Sequence, residues 1–163
     1  MKVLSNVQII KYDYLKILNE KLIFTRLLIL IIDYLLFIFV LMRFTFGKEE
    51  KLKSRKQIEQ LFIEGNSIKE FPLRLKFLKV EQADFPIKVT FSVPKRNFKL
   101  AVDRNRIKRL IREAYRLNKH TLFNNLEGNY VMMFIYTDKV ERGYDDLEKK
   151  MIRILNKFVE HKN

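Results

Sequence analysis

The chain of 163 residues contains no cysteine and no tryptophan, and its only two histidines, His120 and His161, lie 41 positions apart. Without cysteine it can form neither a disulfide framework nor a thiolate metal site, and a thiol nucleophile is excluded. The two histidines provide no metal cluster and no local support for a Ser-His-Asp arrangement. Glycine and proline are scarce, at four and three residues, whereas 14 Phe and 7 Tyr can build a core. This composition excludes a disordered basic tail and disfavours most conventional enzyme chemistry.

Acidic residues are also few: 19 Asp and Glu stand against 33 Lys and Arg, which gives a formal net charge of +14. A charge of this size on a small chain indicates a polyanionic partner, either nucleic acid or an anionic membrane surface. Residues 1–41 carry a net charge of only +2, whereas residues 42–163 carry +12. The polyanion argument therefore applies to residues 42–163.

One long apolar run occurs, over residues 22–41, where sixteen of twenty residues are Leu, Ile, Phe or Val and the only charges are Arg26 and Asp33. Its hydrophobicity permits a membrane span. Three interpretations stay open: a membrane-associated segment, a buried helix, or an extension that precedes a true start at Met42. We favour the last, because well-patterned sequence begins at Met42. The predicted organisation is an apolar extension over 1–41 and one domain over 42–163.

Local patterns in residues 42–163 predict an α+β domain of about 120 residues. Ser54 followed by Gln57 predicts the start of a helix that ends near Gly65. Alternating apolar residues predict strands over 73–80 and 87–93, and an apolar run predicts a buried strand over 129–136. A further strand is expected around 67–72. Asp103 is the predicted N-cap of a helix that runs to about residue 119, and a last helix is expected after residue 146.

The densest charge lies between residues 95 and 119, where ten basic side chains oppose only Asp103 and Glu113. Basic residues recur every four positions along the predicted helix and so form one stripe, with Arg109 beside it: Arg104, Lys108, Arg112 and Arg116. Like charges at this spacing repel each other, but they are strongly favoured beside a phosphate backbone. The stripe therefore favours nucleic acid over the two alternatives, anionic lipid and a solvated surface.

The stretch from Phe91 to Arg116, FSVPKRNFKLAVDRNRIKRLIREAYR, closely resembles the most characteristic stretch of the bacterial ribonuclease P protein subunit. At its centre is the Arg-Asn-Arg motif of that family, here at residues 104–106, and the likeness extends more loosely over residues 44–158. The resemblance implies the ribosomal protein S5 domain 2-like fold, an αβββαβα sandwich with a left-handed βαβ crossover, which is an exception to the usual handedness.

The resemblance also implies a function. Proteins of this family are partners of a catalytic RNA, which binds Mg²⁺ and cuts precursor tRNA to release its 5′ leader. The protein is expected to work in the cytoplasm as part of this endoribonuclease. It supplies no catalytic group and no metal ligand, but binds the catalytic RNA subunit and the leader of precursor tRNA.

The expected RNA-binding residues are those that match the motif and the basic loop before it, together with the end of the stripe: Lys95, Arg96, Arg104, Asn105, Arg106, Lys108, Arg109, Arg112 and Arg116. The expected leader-binding residues are Phe62 and Arg74. Aromatic faces stack on unpaired bases, but a core position for Phe62 is an open alternative.

Two other functions stay open. A general RNA-binding or ribosome-associated protein of the same fold would bind tRNA with and without a leader equally well. A membrane-anchored basic protein requires that residues 22–41 be a real span, and a membrane partner is expected only in that case.

Overall fold

The structure, a computed structural model, describes residues 25–37, 45–81 and 83–162, with only the backbone given for residues 124, 125 and 162. The chain divides into two units, Met1–Arg43 and Phe44–Asn163. In the first unit, residues 25–37 are helical and their side chains are exposed. Over the described ranges, no helix has the length and apolar character needed to cross a membrane. Both flanks of the predicted apolar run, 22–24 and 38–41, and the predicted start at Met42 lie outside the described residues.

The second unit is an α+β domain, as predicted. Its elements in chain order are α1 (Arg55–Ile63), β1 (Asn66–Glu70), β2 (Leu73–Val80), β3 (Ile87–Ser92), α2 (Ala101–Asn118), α3 (His120–Asn125), β4 (Asn129–Tyr136) and α4 (Tyr144–Lys162). The strands form one mixed sheet in the order β1-β2-β4-β3. β2 is antiparallel to both of its neighbours, whereas β3 and β4 are parallel and are connected through α2 and α3.

Helices cover the two faces of this sheet unequally. Leu75 and Phe134 point to the first face, where α2, α3 and α4 complete the main core. Val131 and Met133 point to the second face, where they pack with Leu61 of α1 in a smaller cluster. Because β4 has a buried side chain on both faces, its sequence is a continuous apolar run. β2 alternates instead, since polar side chains occupy much of its second face.

The two predicted helix starts have different outcomes. The Ser54 hydroxyl accepts a hydrogen bond from the backbone N–H of Gln57 at 3.4 Å, which confirms Ser54 as the N-cap of α1. The prediction that Asp103 caps α2 is wrong, because the helix begins at Ala101 and Leu100 occupies the cap position without a side-chain bond. Asp103 lies in the first turn, where its negative charge complements the helix dipole.

A segment before α1 covers the outer edge of β3. The backbone N–H of Leu52 donates to the carbonyl oxygen of Val89 at 2.9 Å, and the N–H of Val89 donates to that of Glu50 at 2.7 Å. This bridge is parallel, so residues 50–52 act as a very short extra strand. The segment brings two lysines, Lys51 and Lys53, to the sheet edge beside α2.

Candidate nucleic-acid interface

The predicted basic surface of α2 lies on the outside of the domain. Of the predicted RNA-binding residues on α2, four are exposed: Asn105, Arg106, Arg109 and Arg112. The other three, Arg104, Lys108 and Arg116, are half-buried. Ile107, Ile111 and Ala114 point to the core instead. With 3.6 residues per turn, this alternation puts the apolar and the basic side chains on opposite sides of one helix.

Three of these arginines have partners within the domain. Arg104 donates through Nη1 to the carbonyl oxygens of Phe98 and Lys99, at 2.9 and 2.6 Å, and so holds the loop before its helix. Arg106 forms an ion pair with Glu141, and this hydrogen bond raises the pKa of Arg106. Arg116 pairs with Glu113 at 2.5 Å, and the hydrogen bond lowers the pKa of that carboxyl group.

The middle of the stripe is different. Across the described ranges, neither Lys108 nor Arg109 nor Arg112 has a carboxylate partner. The guanidinium carbon of Arg112 lies 5.9 Å from the ring centroid of Phe91, which is within the range of a cation–π contact. These three cations are therefore available to a phosphate backbone, while Arg104 also has a structural role.

Lys108 and Arg112 border a hollow of about 230 Å³ at the edge of β3. Its other lining residues are Phe46, Lys51, Leu52, Lys53, Val89, Thr90 and Phe91. Lys51 lies 5.7 Å from the ring centroid of Phe46, so two cations and two aromatic rings meet in this hollow. Four basic residues and no acidic one line it, which suits an anionic group.

Lys51 and Lys53 are interface residues that the sequence did not predict. The sequence feature that could have identified them is the alternation Lys-Leu-Lys, which places both lysines on one side of an extended segment and Leu52 on the other. No local pattern indicates that this segment lies against Lys108, 55 or more positions away.

The predicted basic loop, with Lys95 and Arg96 exposed, is held at the end of β4. The amide nitrogen of Asn97 donates to the carbonyl oxygens of Thr137 and Asp138, at 3.1 and 2.9 Å. The two cations thereby lie at the end of the sheet where β3 and β4 finish. This loop connects β3 with α2, so the basic surface continues from the helix onto the sheet end.

The two predicted leader-binding residues both belong to the second face of the sheet. Phe62 is 52% exposed and lies outside both core clusters, which removes the core alternative for this residue. The Nζ of Lys76 lies 5.3 Å from its ring centroid and donates to the carbonyl oxygen of Phe62 at 3.0 Å. Arg74, two residues before Lys76 in β2, is half-buried.

Lys76 was not predicted as a site residue either, although it alternates with Arg74 along one strand. Its amine holds the end of α1 against the sheet, because it also donates to the carbonyl oxygen of Leu61 at 3.3 Å. The ring of Phe62 and the cations of Lys76 and Arg74 thus lie on the same side of the sheet, and we call this surface between α1 and β2 the cleft. Within the described ranges, no group of three or more His, Asp or Glu residues could hold a metal ion.

The fold and the surface define a class: small α+β domains with a basic crossover helix and, on the other face of the sheet, a cleft of aromatic and basic residues. The sequence model of the ribonuclease P family matches residues 46–159. The chain therefore belongs to the ribonuclease P protein family.

Similar proteins agree with this assignment. The chain is 38% identical over 123 residues to the ribonuclease P protein component of Porphyromonas gingivalis, a match that covers 68% of this chain and 88% of the relative. It is 35% identical over 112 residues to that of Clostridium botulinum, covering 68% and 95%.

Two solved structures share the fold. The RNase P protein of Staphylococcus aureus has a TM-score of 0.57 at 20% identity, over 71% of this chain and 100% of that one. The RNase P protein of Thermotoga maritima has a TM-score of 0.54 at 22% identity, over 66% and 96%. At these identities the likeness concerns the fold.

Proposed function

We propose that this chain, as the protein subunit of ribonuclease P, binds the catalytic RNA through α2 and the 5′ leader of precursor tRNA through the cleft beside α1. The observation that carries the proposal is the middle of the α2 stripe, where Lys108 and the exposed Arg109 and Arg112 have no carboxylate partner among the described residues. It continues into the basic hollow and lies next to the Arg-Asn-Arg motif.

The binding is primarily electrostatic. Each phosphate that a cation neutralises releases counterions, so affinity for RNA falls as salt rises, with a slope of about −0.9 per contact on a duplex. Arginine suits this role because its planar fork donates to two phosphate oxygens at once. Lys95 and Arg96 extend the same surface toward the sheet end, so one RNA can contact the loop, α2 and the hollow together.

The cleft serves a different purpose. Phe62 presents an exposed ring on which an unpaired base can stack, and Lys76 and Arg74 provide positive charge for the phosphates that follow it. Stacking tolerates any base, which is what a subunit needs if it accepts leaders of many sequences. The cleft thereby favours precursor tRNA, which has a leader, over mature tRNA, which has none.

The chemical step belongs to the RNA in this proposal. The RNA subunit supplies the catalytic groups and binds Mg²⁺, and the protein contributes no catalytic residue. Its contribution is to hold the leader beside the RNA, so that substrate binding needs less magnesium to screen phosphate repulsion. The proposed location of this reaction is the cytoplasm, where tRNA precursors are processed.

Reconstitution tests the proposal. The full chain is combined with a cognate RNA subunit, and cleavage of precursor tRNA is measured at low magnesium. We expect the protein to stimulate cleavage, and precursor tRNA to bind more tightly than leaderless tRNA. No stimulation would remove the proposal, and equal binding of both tRNAs would favour a general RNA-binding protein of the same fold.

A further inference from the structure

The second face of the sheet has an open end beyond the cleft. Side chains of neighbouring strands form rows across a sheet, and one row consists of Lys69, Arg74, Ile135 and Ser92. Leu61 of α1 covers the part of the face that contains Val131 and Met133. The row of Arg74 lies one step further, toward the turn between β1 and β2.

This open end contains a pocket of about 210 Å³, lined by Lys69, Phe71, Leu73, Arg74 and Thr137. The Nε of Arg74 is buried and has no hydrogen-bond acceptor among the residues that the structure describes. Buried polar atoms nearly always have a partner, and an arginine nitrogen can only donate. Arg74 lines the pocket, and its guanidinium therefore keeps a hydrogen-bonding capacity that the described residues of the domain do not use.

Phe71 forms one wall of the pocket, and its side chain is 56% exposed. The guanidinium of Arg142 lies 5.5 Å from its ring centroid. Arg142 is itself held by Asp138 at 2.8 Å and by Asp146 at 3.7 Å. A large aromatic ring is thus kept at the surface by a fixed cation instead of packing into either core cluster.

We propose that this pocket binds one nucleotide of the single-stranded leader, with the base stacked on Phe71 and the phosphate on Arg74 and Lys69. The inference rests on the proposed function, since it extends the leader path from Phe62. A nucleotide fits because it combines a flat ring with an anion, and the pocket offers an aromatic ring and two cations with no carboxylate in its lining.

The geometry sets how far apart the two stacking sites are. From Lys76, beside Phe62, to Pro72, beside Phe71, is four residues along the strand, or roughly 14 Å. A strand of nucleic acid spans that distance with roughly two to four nucleotides, fewer when it is extended and more when it is stacked. The leader therefore contacts Phe62 and Phe71 with different nucleotides, and each contact requires its own minimum leader length.

A leader-length series tests the proposal. Holoenzyme made from the full chain and the RNA subunit binds precursor tRNAs whose leaders shorten by one nucleotide at a time. The wild-type protein should show two separate gains in affinity as the leader grows. Phe71→Leu keeps an apolar side chain but removes the aromatic face, and should lose about fivefold or more in affinity at one of the two steps only.

Matched variants identify which of the two gains in affinity belongs to which aromatic ring. Phe62→Leu should remove the other gain, and Phe71→Trp, which keeps an aromatic face, should retain both. Arg74→Met keeps most of the side-chain volume and should weaken the same step as Phe71→Leu. A 2-aminopurine base placed in the leader should be quenched at one position by the wild-type protein, and this quenching should be lost in Phe71→Leu.

Three outcomes would overturn the proposal. Phe71→Leu could retain both gains while Phe62→Leu loses one, in which case the leader path ends before the pocket and the proposed function stands. Phe71→Leu could weaken leaderless tRNA equally, in which case the pocket binds another part of the RNA. The wild-type protein could show no dependence on leader length, in which case leader binding as proposed above fails as well.

Discussion

The Nζ of Lys119 lies 2.6 Å from both carboxylate oxygens of Glu50, and both residues are about 95% buried. Lys119 also donates to the carbonyl oxygen of Thr45, and Glu50 accepts from the N–H of Gly47 at 3.2 Å. This pair fastens the segment before α1 to the C-terminal end of α2. Lys119 is thus the one cation of the stretch 95–119 that the described structure turns entirely inward.

Breaking this pair should destabilise the domain. Lys119→Met leaves the Glu50 carboxylate buried without its counter-charge, which costs about 3–5 kcal/mol in the free energy of unfolding. Urea denaturation measures the loss. The double variant Lys119→Met/Glu50→Leu should recover most of it, because no unpaired charge remains. Lys149→Met, at an exposed position of α4, is the matched control and should change stability little. A single variant as stable as that control would contradict the prediction.

Tyr115 provides a second test of the same region. Its side chain is fully buried, its hydroxyl has no hydrogen-bond partner in the described ranges, and burial raises its pKa, with the nearby Glu50 adding to the effect. Tyr115→Phe removes a polar group that gains nothing in the folded state. We expect unchanged stability or a gain of up to about 1 kcal/mol. A clear loss of stability on urea denaturation would mean that the hydroxyl has a partner.

Glu141 should weaken RNA binding, because its carboxylate holds Arg106 of the Arg-Asn-Arg motif. Glu141→Gln removes a negative charge from the interface and frees Arg106 for a phosphate. We expect tighter binding of the RNA subunit at low salt and a salt dependence that is steeper by about one unit in slope. Filter binding over a salt series measures both. Glu127→Gln, exposed at the opposite end of β4, is the control, and an equal gain in that variant would show a mere effect of net charge.

The hollow at the edge of β3 should contact RNA as strongly as the motif does. Lys51→Gln and Arg112→Gln each remove one cation from its lining. Each should weaken binding of the RNA subunit and reduce the magnitude of the salt slope by about one. Lys149→Gln, which removes the same charge from α4, should leave the slope nearly unchanged. If the three variants behaved alike, the hollow would carry no specific contact.

Stability should depend on pH through Glu70. Its carboxylate is held by Lys157 at 2.5 Å and by Lys150 at 3.2 Å, and the hydrogen bond from Lys157 is the main cause of its lowered pKa. A lowered pKa means that the stabilisation is complete above the unfolded value near 4.5 and is lost as pH falls through the folded value.

Glu70→Gln removes this dependence. The variant should be less stable than the wild type at neutral pH by on the order of 1 kcal/mol, with the difference shrinking below about pH 4.5. Thermal unfolding at several pH values measures it. Parallel curves for the two proteins down to pH 2 would show that the two lysines on α4 do not stabilise the ionised carboxylate.

Much of the fold was predictable because each strand has a recognisable environment. Alternation over 73–80 matches β2, and the apolar run over 129–136 matches β4. Helix α3 was not predicted, since six residues with one buried leucine, Leu122, are too short to show a helical period. The start of α2 was misplaced because its N-cap residue, Leu100, makes no side-chain hydrogen bond, so the sequence has no capping signal at that position.

The residues of the candidate site that lie on α2 were predictable from the sequence. The residues that distant parts of the chain bring to the site were not. Charges that repeat every four residues locate the stripe, and the Arg-Asn-Arg motif identifies its family. The pairing of Lys119 with Glu50 joins positions 69 residues apart, and the meeting of Lys51 with Arg112 is also non-local. Such contacts are set by the packing of the sheet edge against α2, which local sequence does not record.

The short strand at residues 50–52 has a consequence for solubility. β3 is an outermost strand, and an uncovered outermost strand is a template on which another chain can add its own backbone hydrogen bonds. Residues 50–52 occupy the donors and acceptors of Val89, and the buried Lys119–Glu50 pair keeps them in place. A protein that lost this cover would keep its basic helix but would be prone to self-association through β3. Handling and expression therefore depend on a segment that also carries Lys51, one of the lysines proposed to contact RNA.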